Sequence, residues 1–241
     1  MGKKYELTDE TINHGGRTLH RIRAIRSFSD VKAGELGGWI EKESNLSQDG
    51  NCWVYDDAKV YDNAKVYDNA VVCHNAMIYD NAMIYDNAKM YGHPRVYGNA
   101  WVYRNAMVRG NTKVYDYAEV YGNTTVYGNA KVYDHAKVYG NAKVYGGAEV
   151  CCGAYVCGNA TVSGNAVVES DADYIEFKNF WCGGRHFTWT RSNNMWTVGC
   201  FHGTGEELIQ KAYADSEKSG REYERVVRYV ESILADEKKQ K

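Results

Sequence analysis

"KVYDNAKVYDNA", Lys59 to Ala70, is one six-residue phrase written twice. The phrase extends far beyond this stretch. From Val54 to Val168 every sixth position is Val, Ile or Met, and four residues after each stands a small residue, nearly always Ala. The consensus is Val-Tyr-(Asp/Gly)-Asn-Ala-Lys. A fixed short period is the signature of a stacked repeat, in which no single unit buries its own apolar face. Within Lys-Val-Tyr the side chains alternate, so a strand there sends Val one way and Lys and Tyr the other. Asp/Gly followed by Asn supplies a corner, because these residues accept positive φ at low cost. Ala fits where a larger group would strike the interior. Each Val turned inward contributes about 1.5–3 kcal/mol, so the period must hold for a core to exist.

An aliphatic residue with a small residue at the fifth place resembles the hexapeptide-repeat proteins, the LpxA-like left-handed parallel β-helices that include many trimeric acyltransferases. The resemblance covers about half of the chain. It departs in one respect: Tyr stands after the aliphatic residue, where the family often has Gly. The resemblance implies three hexads per coil, so Val54 to Val168 makes six to seven coils of a mainly β protein. Wrapped by 18, Tyr falls into columns on three faces, where stacked neighbours support each other by about 0.2–1 kcal/mol per pair. Cys73 and Arg109 interrupt one column. The outward place before the Val is mostly Lys, but Val71, Met77, Met83, Trp101 and Met107 put apolar groups there. Exposed apolar groups of this kind mark an interface, and with Cys73 and Arg109 they are the expected contact surface of a homotrimer.

The 241 residues carry a net charge of −2, with 44% hydrophobic and 25% charged residues. Neither sign dominates, which argues against a dedicated nucleic-acid binder. No apolar run approaches the ~18–20 residues of a membrane span, and the opening MGKKYELTDE lacks a signal-peptide core. No membrane association and a cytoplasmic location (the host's, if phage-encoded) are therefore expected. Seven cysteines form no paired disulfide framework and are expected to be reduced.

Three segments follow. Residues 1–37 form an N-terminal β cap, with Tyr5–Thr8 pairing Thr18–Ile25 across Asn13–Gly16. Residues 38–172 form the β-helix. Ile40 and Leu46 keep the six-residue step, but Val54 lies eight beyond Leu46, a phase slip of two. Residues 173–241 form a small α+β unit. It holds a hairpin around Ser192–Asn194, a helix opened by the Thr204/Glu207 capping box, and a second helix near 217–236 with helical apolar spacing.

Candidate chemistry is sparse. The resemblance implies acyl transfer from coenzyme A with a His general base, for which the corner histidines His74, His93 and His135 are the candidates; His equally replaces Asp or Asn at a polar corner. The family's acyltransferases commonly extrude a loop, and here the six-residue count never resets. Cys182, His186, Cys200 and His202 offer a Cys2His2 set for zinc, although their spacing matches no standard pattern. Cys151-Cys152 with Cys157 suggests a redox or metal cluster, yet 151 and 157 fall on different faces. The phrase Gly34-Glu-Leu-Gly-Gly-Trp-Ile-Glu41 leading into the repeat is similar to hypothetical proteins of phages and prophages. The leading expectation is a non-catalytic binding or scaffold protein without cofactor, recognising a host protein or small ligand, for example as an inhibitor or sequestering factor acting on host defence. The alternative is a CoA-dependent acyltransferase using acetyl-CoA.

Overall fold

Each hexad forms one very short strand and one corner. A computed structural model describes residues 2–179 and 184–239. Strands β1 (Tyr5–His14), β2 (Arg17–Ala24) and β3 (Leu36–Ile40) precede a series of two- to four-residue strands, β4 (Trp53–Val54) through β23 (Val167–Val168). Strands β24 (Tyr174–Lys178), β25 (His186–Thr190), β26 (Met195–Val198) and β27 (Phe201–Gly203) follow, then helices α1 (Gly205–Asp215) and α2 (Glu217–Lys239). Each repeat strand pairs in parallel with the strand three further on, one coil away: Lys59 lies opposite Met77, and Val60 opposite Ile78. Three stacks of parallel strands result, whose first coil strands are Trp53–Val54, Lys59–Val60 and Lys65–Val66, and together they make a β-helix of about seven coils.

The interior is one residue deep on each side. The inward Val, Ile and Met residues and the Ala residues after the corners are buried from end to end. Thr112 and Thr124 replace Ala without loss, because their hydroxyls donate to the carbonyls of Arg109 and Tyr121 at 2.6 and 3.2 Å. A buried hydroxyl without such a partner would cost on the order of 1–3 kcal/mol.

The two corner residues have separate tasks, which the sequence reading treated as one. The first, Asp or Gly in almost every hexad, takes the positive φ. At Asp56, Asp62, Asp68, Asp80, Asp86 and Asp134 the carboxylate accepts the corner N–H one coil further on, as Asp80 does from Gly98 at 3.0 Å. The second residue, Asn, stacks. Asn51, Asn69, Asn87, Asn105, Asn123, Asn141 and Asn159 form one ladder of amide-to-amide bonds of 3.0–3.3 Å. Tyrosines stack as well, with near-parallel rings whose centroids lie 4.7–5.1 Å apart.

Both ends of the coil stack are closed, since open ends would leave backbone groups unpaired. At the N-terminal end β2 pairs antiparallel with β3, and β3 pairs in parallel with Lys59–Val60, which joins the β1–β2 hairpin to the second sheet. Ile40 lies opposite Val60 and Leu46 opposite Val66, a register of 20, whereas Val54 meets Val72 at 18. The two extra residues thus lie between Leu46 and Val54. Gly37 and Gly38 are required by close approach: a Cβ at either would come within 2.6 Å of a backbone carbonyl, Val54 O or Ala58 O. The fully buried Lys4 ammonium donates to the carbonyls of Cys52, Asp49 and Gly50 at 3.0, 3.3 and 3.5 Å.

At the C-terminal end the hairpin and two helices occur where the sequence indicates, and β24 and β27 complete a four-stranded antiparallel sheet. This sheet satisfies the last coil with side chains. Thr161 N donates to Thr188 Oγ1 at 2.8 Å, Val167 N to Ser192 Oγ at 2.7 Å, and Asn159 N to the Glu176 carboxylate at 3.2 Å. The unit keeps its own core of Phe187, Trp189, Trp196, Val198, Leu208, Tyr223 and Val227. Among the described residues no helix is long and apolar enough to cross a membrane.

Candidate recognition groove

The coil-to-coil register decides which off-consensus residues meet. The apolar outward residues do not form one patch. Val71 and Met107 lie on the first face with Lys89 between them, Met77 on the second, and Met83 and Trp101 on the third. Cys73 is buried, with its thiol donating to Met90 O at 3.2 Å, so it offers no surface for contact. Arg109 is exposed and lies over the Tyr127 ring at 4.8 Å.

Met83 and Trp101 stand side by side in a groove of about 640 Å³ that runs along the helix axis. Its other wall is the corner between the second and third faces: Asn81, Asn99, Tyr117, His135 and Gly153, one per coil. Its floor continues through Glu119, Lys137 and Tyr155. Trp101, Tyr117 and Tyr155 are the large apolar side chains of the coils that stay exposed, and all three lie here. The His135 ring stacks on Tyr117 at 4.8 Å and 11°. Glu119 receives Lys137 at 2.8 Å and the Tyr103 hydroxyl at 2.9 Å. The bond to the carboxylate holds the Lys137 ammonium above its ordinary pKa. Burial, followed by the hydrogen bond to Glu119, raises Tyr103. Tyr117 and Tyr155 were not singled out in the sequence, because they stand outside the tyrosine columns that follow the Val positions. Their phase distinguishes them: Tyr117 occupies an Asn place and Tyr155 a Lys place.

The other two histidines lie at different corners. His93 replaces an Asn and borders a basic groove with Lys59, Arg95 and Lys113. His74 occupies a positive-φ place, φ 62°, with Nδ1 3.0 Å from Cys73 Sγ and 4.0 Å from Asp56 Oδ2. Cysteine, histidine and carboxylate are here, but the same ring nitrogen faces both partners. A nucleophile–base–orienter relay needs one nitrogen for each. Burial also pushes the Cys73 thiol up to about 11, away from the thiolate that a nucleophile requires.

The C-terminal Cys2His2 set can be followed only at His186, Cys200 and His202. Cys182 lies outside the described residues. Among the described ones, His186, Cys200 and His202 do not gather within a metal's reach of one another. Both histidines are committed to closing the coil stack. His186 Nδ1 is 2.6 Å from Glu176, and His202 Nδ1 lies 3.0 Å from Ser163 Oγ and 3.2 Å from Thr197 Oγ1. Cys200 is exposed in the turn before β27.

Known proteins give a local likeness to this chain. The YdcK β-solenoid repeat model matches residues 154–170. A protein of Escherichia coli (strain K12), described as "Uncharacterized acetyltransferase YdcK", is 44% identical over 62 residues. That match takes in 22% of this chain and 19% of the relative's length.

Proposed function

We propose that this hexapeptide-repeat left-handed β-helix protein is a non-catalytic binding scaffold that assembles as a homotrimer along the Trp101–Tyr155 groove. The observation that carries this reading is that the three large apolar side chains left exposed on the coils, Trp101, Tyr117 and Tyr155, gather on one wall-and-floor surface. Exposed aromatic rings are the usual anchors of protein interfaces. Five corner residues, one coil apart, make the groove about 19 Å long at ~4.8 Å per coil. A straight groove parallel to the axis suits a second copy lying alongside. The resemblance of the Gly34–Glu41 phrase to phage and prophage proteins favours a host protein as the partner of the assembled trimer.

Light scattering tests the assembly. The expected mass is three times the 27.3 kDa of the chain, and Trp101→Glu is expected to return it to the monomer mass with its far-ultraviolet circular dichroism unchanged. A wild-type mass of one chain, or a trimer untouched by Trp101→Glu, refutes the reading.

A second reading, CoA-dependent acyl transfer, is favoured by His135 standing in the same groove and by the local likeness to a protein described as an acetyltransferase. Against it, no hydrogen bond among the described residues orients the His135 ring, as a general base requires. Acetyl-CoA is expected to leave the unfolding temperature unchanged. Stabilisation by acetyl-CoA that His135→Ala or His93→Ala abolishes would establish the second reading instead.

A further inference from the structure

We propose that two corners of the β-helix bind a thiophilic divalent cation of the zinc class, one through Asp56, Cys73 and His74, the other through Asp134, Cys151 and Cys152. In each triad the ligand atoms lie within 4.8 Å of one another. The two sites share one construction. Asp occupies a positive-φ corner, and on the next coil Cys replaces the consensus Tyr. The residue after that Cys is the second new ligand, at the corner stacked directly on the Asp. From residue 56 to residue 164 the first corner residue is Asp or Gly except at His74, Arg104 and Cys152. His74 and Cys152 are thus two of three departures from the rule, and both sit beside a Cys and above an Asp. Cys152 holds φ 58°. That left-handed conformation is unfavourable for an ordinary side chain.

The distances suit a single ion. Cys73 Sγ to His74 Nδ1 is 3.0 Å and His74 Nδ1 to Asp56 Oδ2 is 4.0 Å. Cys151 Sγ to Cys152 Sγ is 3.3 Å and Cys152 Sγ to Asp134 Oδ2 is 3.8 Å. Tetrahedral zinc with bonds of about 2.0–2.3 Å places its ligand atoms about 3.3–3.8 Å apart, inside the range these side chains span. Asp56 Oδ2 accepts His74 N–H at 3.0 Å and Asp134 Oδ2 accepts Cys152 N–H at 3.3 Å. The backbone therefore orients both carboxylates, as outer-shell partners do in metal centres. His74, Asp56 and Cys152 are exposed, which opens each corner to entry and leaves a fourth position for water. Binding releases one thiol proton at the first site and two at the second, as thiolate ligation requires. Cys157 supplies an internal contrast. It too replaces a Tyr, but its corner neighbour is Gly158, the residue one coil below is Gly140, and its thiol meets the Tyr174 hydroxyl at 3.7 Å.

The test is a titration of the reduced, metal-free full chain with Co²⁺ alone, read as the thiolate-to-cobalt charge-transfer band and the visible bands of a tetrahedral site. About two equivalents are expected, with Zn²⁺ displacing the colour. His74→Gly and Cys152→Gly restore consensus corners and so preserve the fold. Each is expected to remove one equivalent, the double variant both, and Cys200→Ser none. Absence of a thiolate–cobalt band in the wild-type chain, or a band undiminished in the double variant, overturns the proposal.

Discussion

Replacing Gly128 by Ala and, separately, by Asp tests the account of the corners with opposite expectations. Gly128 sits at φ +78°, and a Cβ added there would lie 2.9 Å from Gly146 N and 3.0 Å from Gly146 O. Non-glycine corners instead hold φ between +54° and +62°, so the coil must shift locally before any side chain is accepted. For Ala the left-handed conformation costs about 1–2 kcal/mol, and the contact adds to this. In the other direction, its smaller unfolded-state entropy returns about 0.4–1 kcal/mol. The net expectation is a loss of about 1–2 kcal/mol, or roughly 2–8 °C in Tm for a chain of this size. Asp tolerates the conformation better, and its carboxylate can accept Gly146 N–H as Asp80 accepts Gly98 N–H. A charge-assisted bond of this kind contributes about 1.5–3 kcal/mol, less at an exposed corner. Gly128→Asp is therefore expected to match the wild type within about 0.5 kcal/mol. The assay is thermal and urea unfolding followed by circular dichroism. An Ala variant as stable as the wild type, or an Asp variant no better than Ala, would refute the account of how these corners are built.

Three further outcomes follow from the same structure. Burial first, then neighbouring tyrosines, pushes Tyr79, Tyr85 and Tyr115 up to about 12 from their ordinary value of 10.0. A folded-state pKa raised above the unfolded one gives stability that is whole below about pH 10 and lost as pH rises towards about 12. Tyrosinate absorbance should therefore rise together with loss of the β signal, and ionisation near the ordinary value with the fold intact would contradict this. Lys4→Ala removes the ammonium that caps three carbonyls and is expected to cost about 1–3 kcal/mol in urea unfolding; a change under about 0.5 kcal/mol would show that the cap does not depend on it. Thr188→Val takes away the acceptor of Thr161 N–H at near-constant volume. It should cost about 1–3 kcal/mol and speed hydrogen exchange in the last coil, whereas unaltered exchange there would mean the C-terminal sheet does not close the stack.

Much of the molecule is legible from the repeat because its information is local. Val60 needs only its neighbours Lys59 and Tyr61 to declare a strand with one inward side chain, and Asp62-Asn63 to declare a corner. The phase slip between Leu46 and Val54 is equally visible, and it reappears as a register of 20 in place of 18. The helices after Thr204 are announced by a capping box that the structure contains, Thr204 accepting from Glu207 N at 3.3 Å. The division of labour within a corner is less legible. Asp and Asn both favour turns, and only the stacked geometry assigns φ to the first and the ladder to the second.

The candidate sites depend on residues that are distant in the chain. Tyr117 and Tyr155 read as two more tyrosines of a tyrosine-rich repeat until they are placed above and beside Trp101. His186 and His202 read as metal ligands until the last coil is seen to need hydrogen-bonding partners, which Glu176, Ser163 and Thr197 share with them. The sequence alone determined the coil, because a six-residue period fixes which side chain turns inward at each strand. The tertiary structure alone decided which off-consensus side chains become neighbours and how the open ends are closed. The reason is physical: the stacking of coil upon coil and the pairing of the terminal backbone are set by contacts between distant segments.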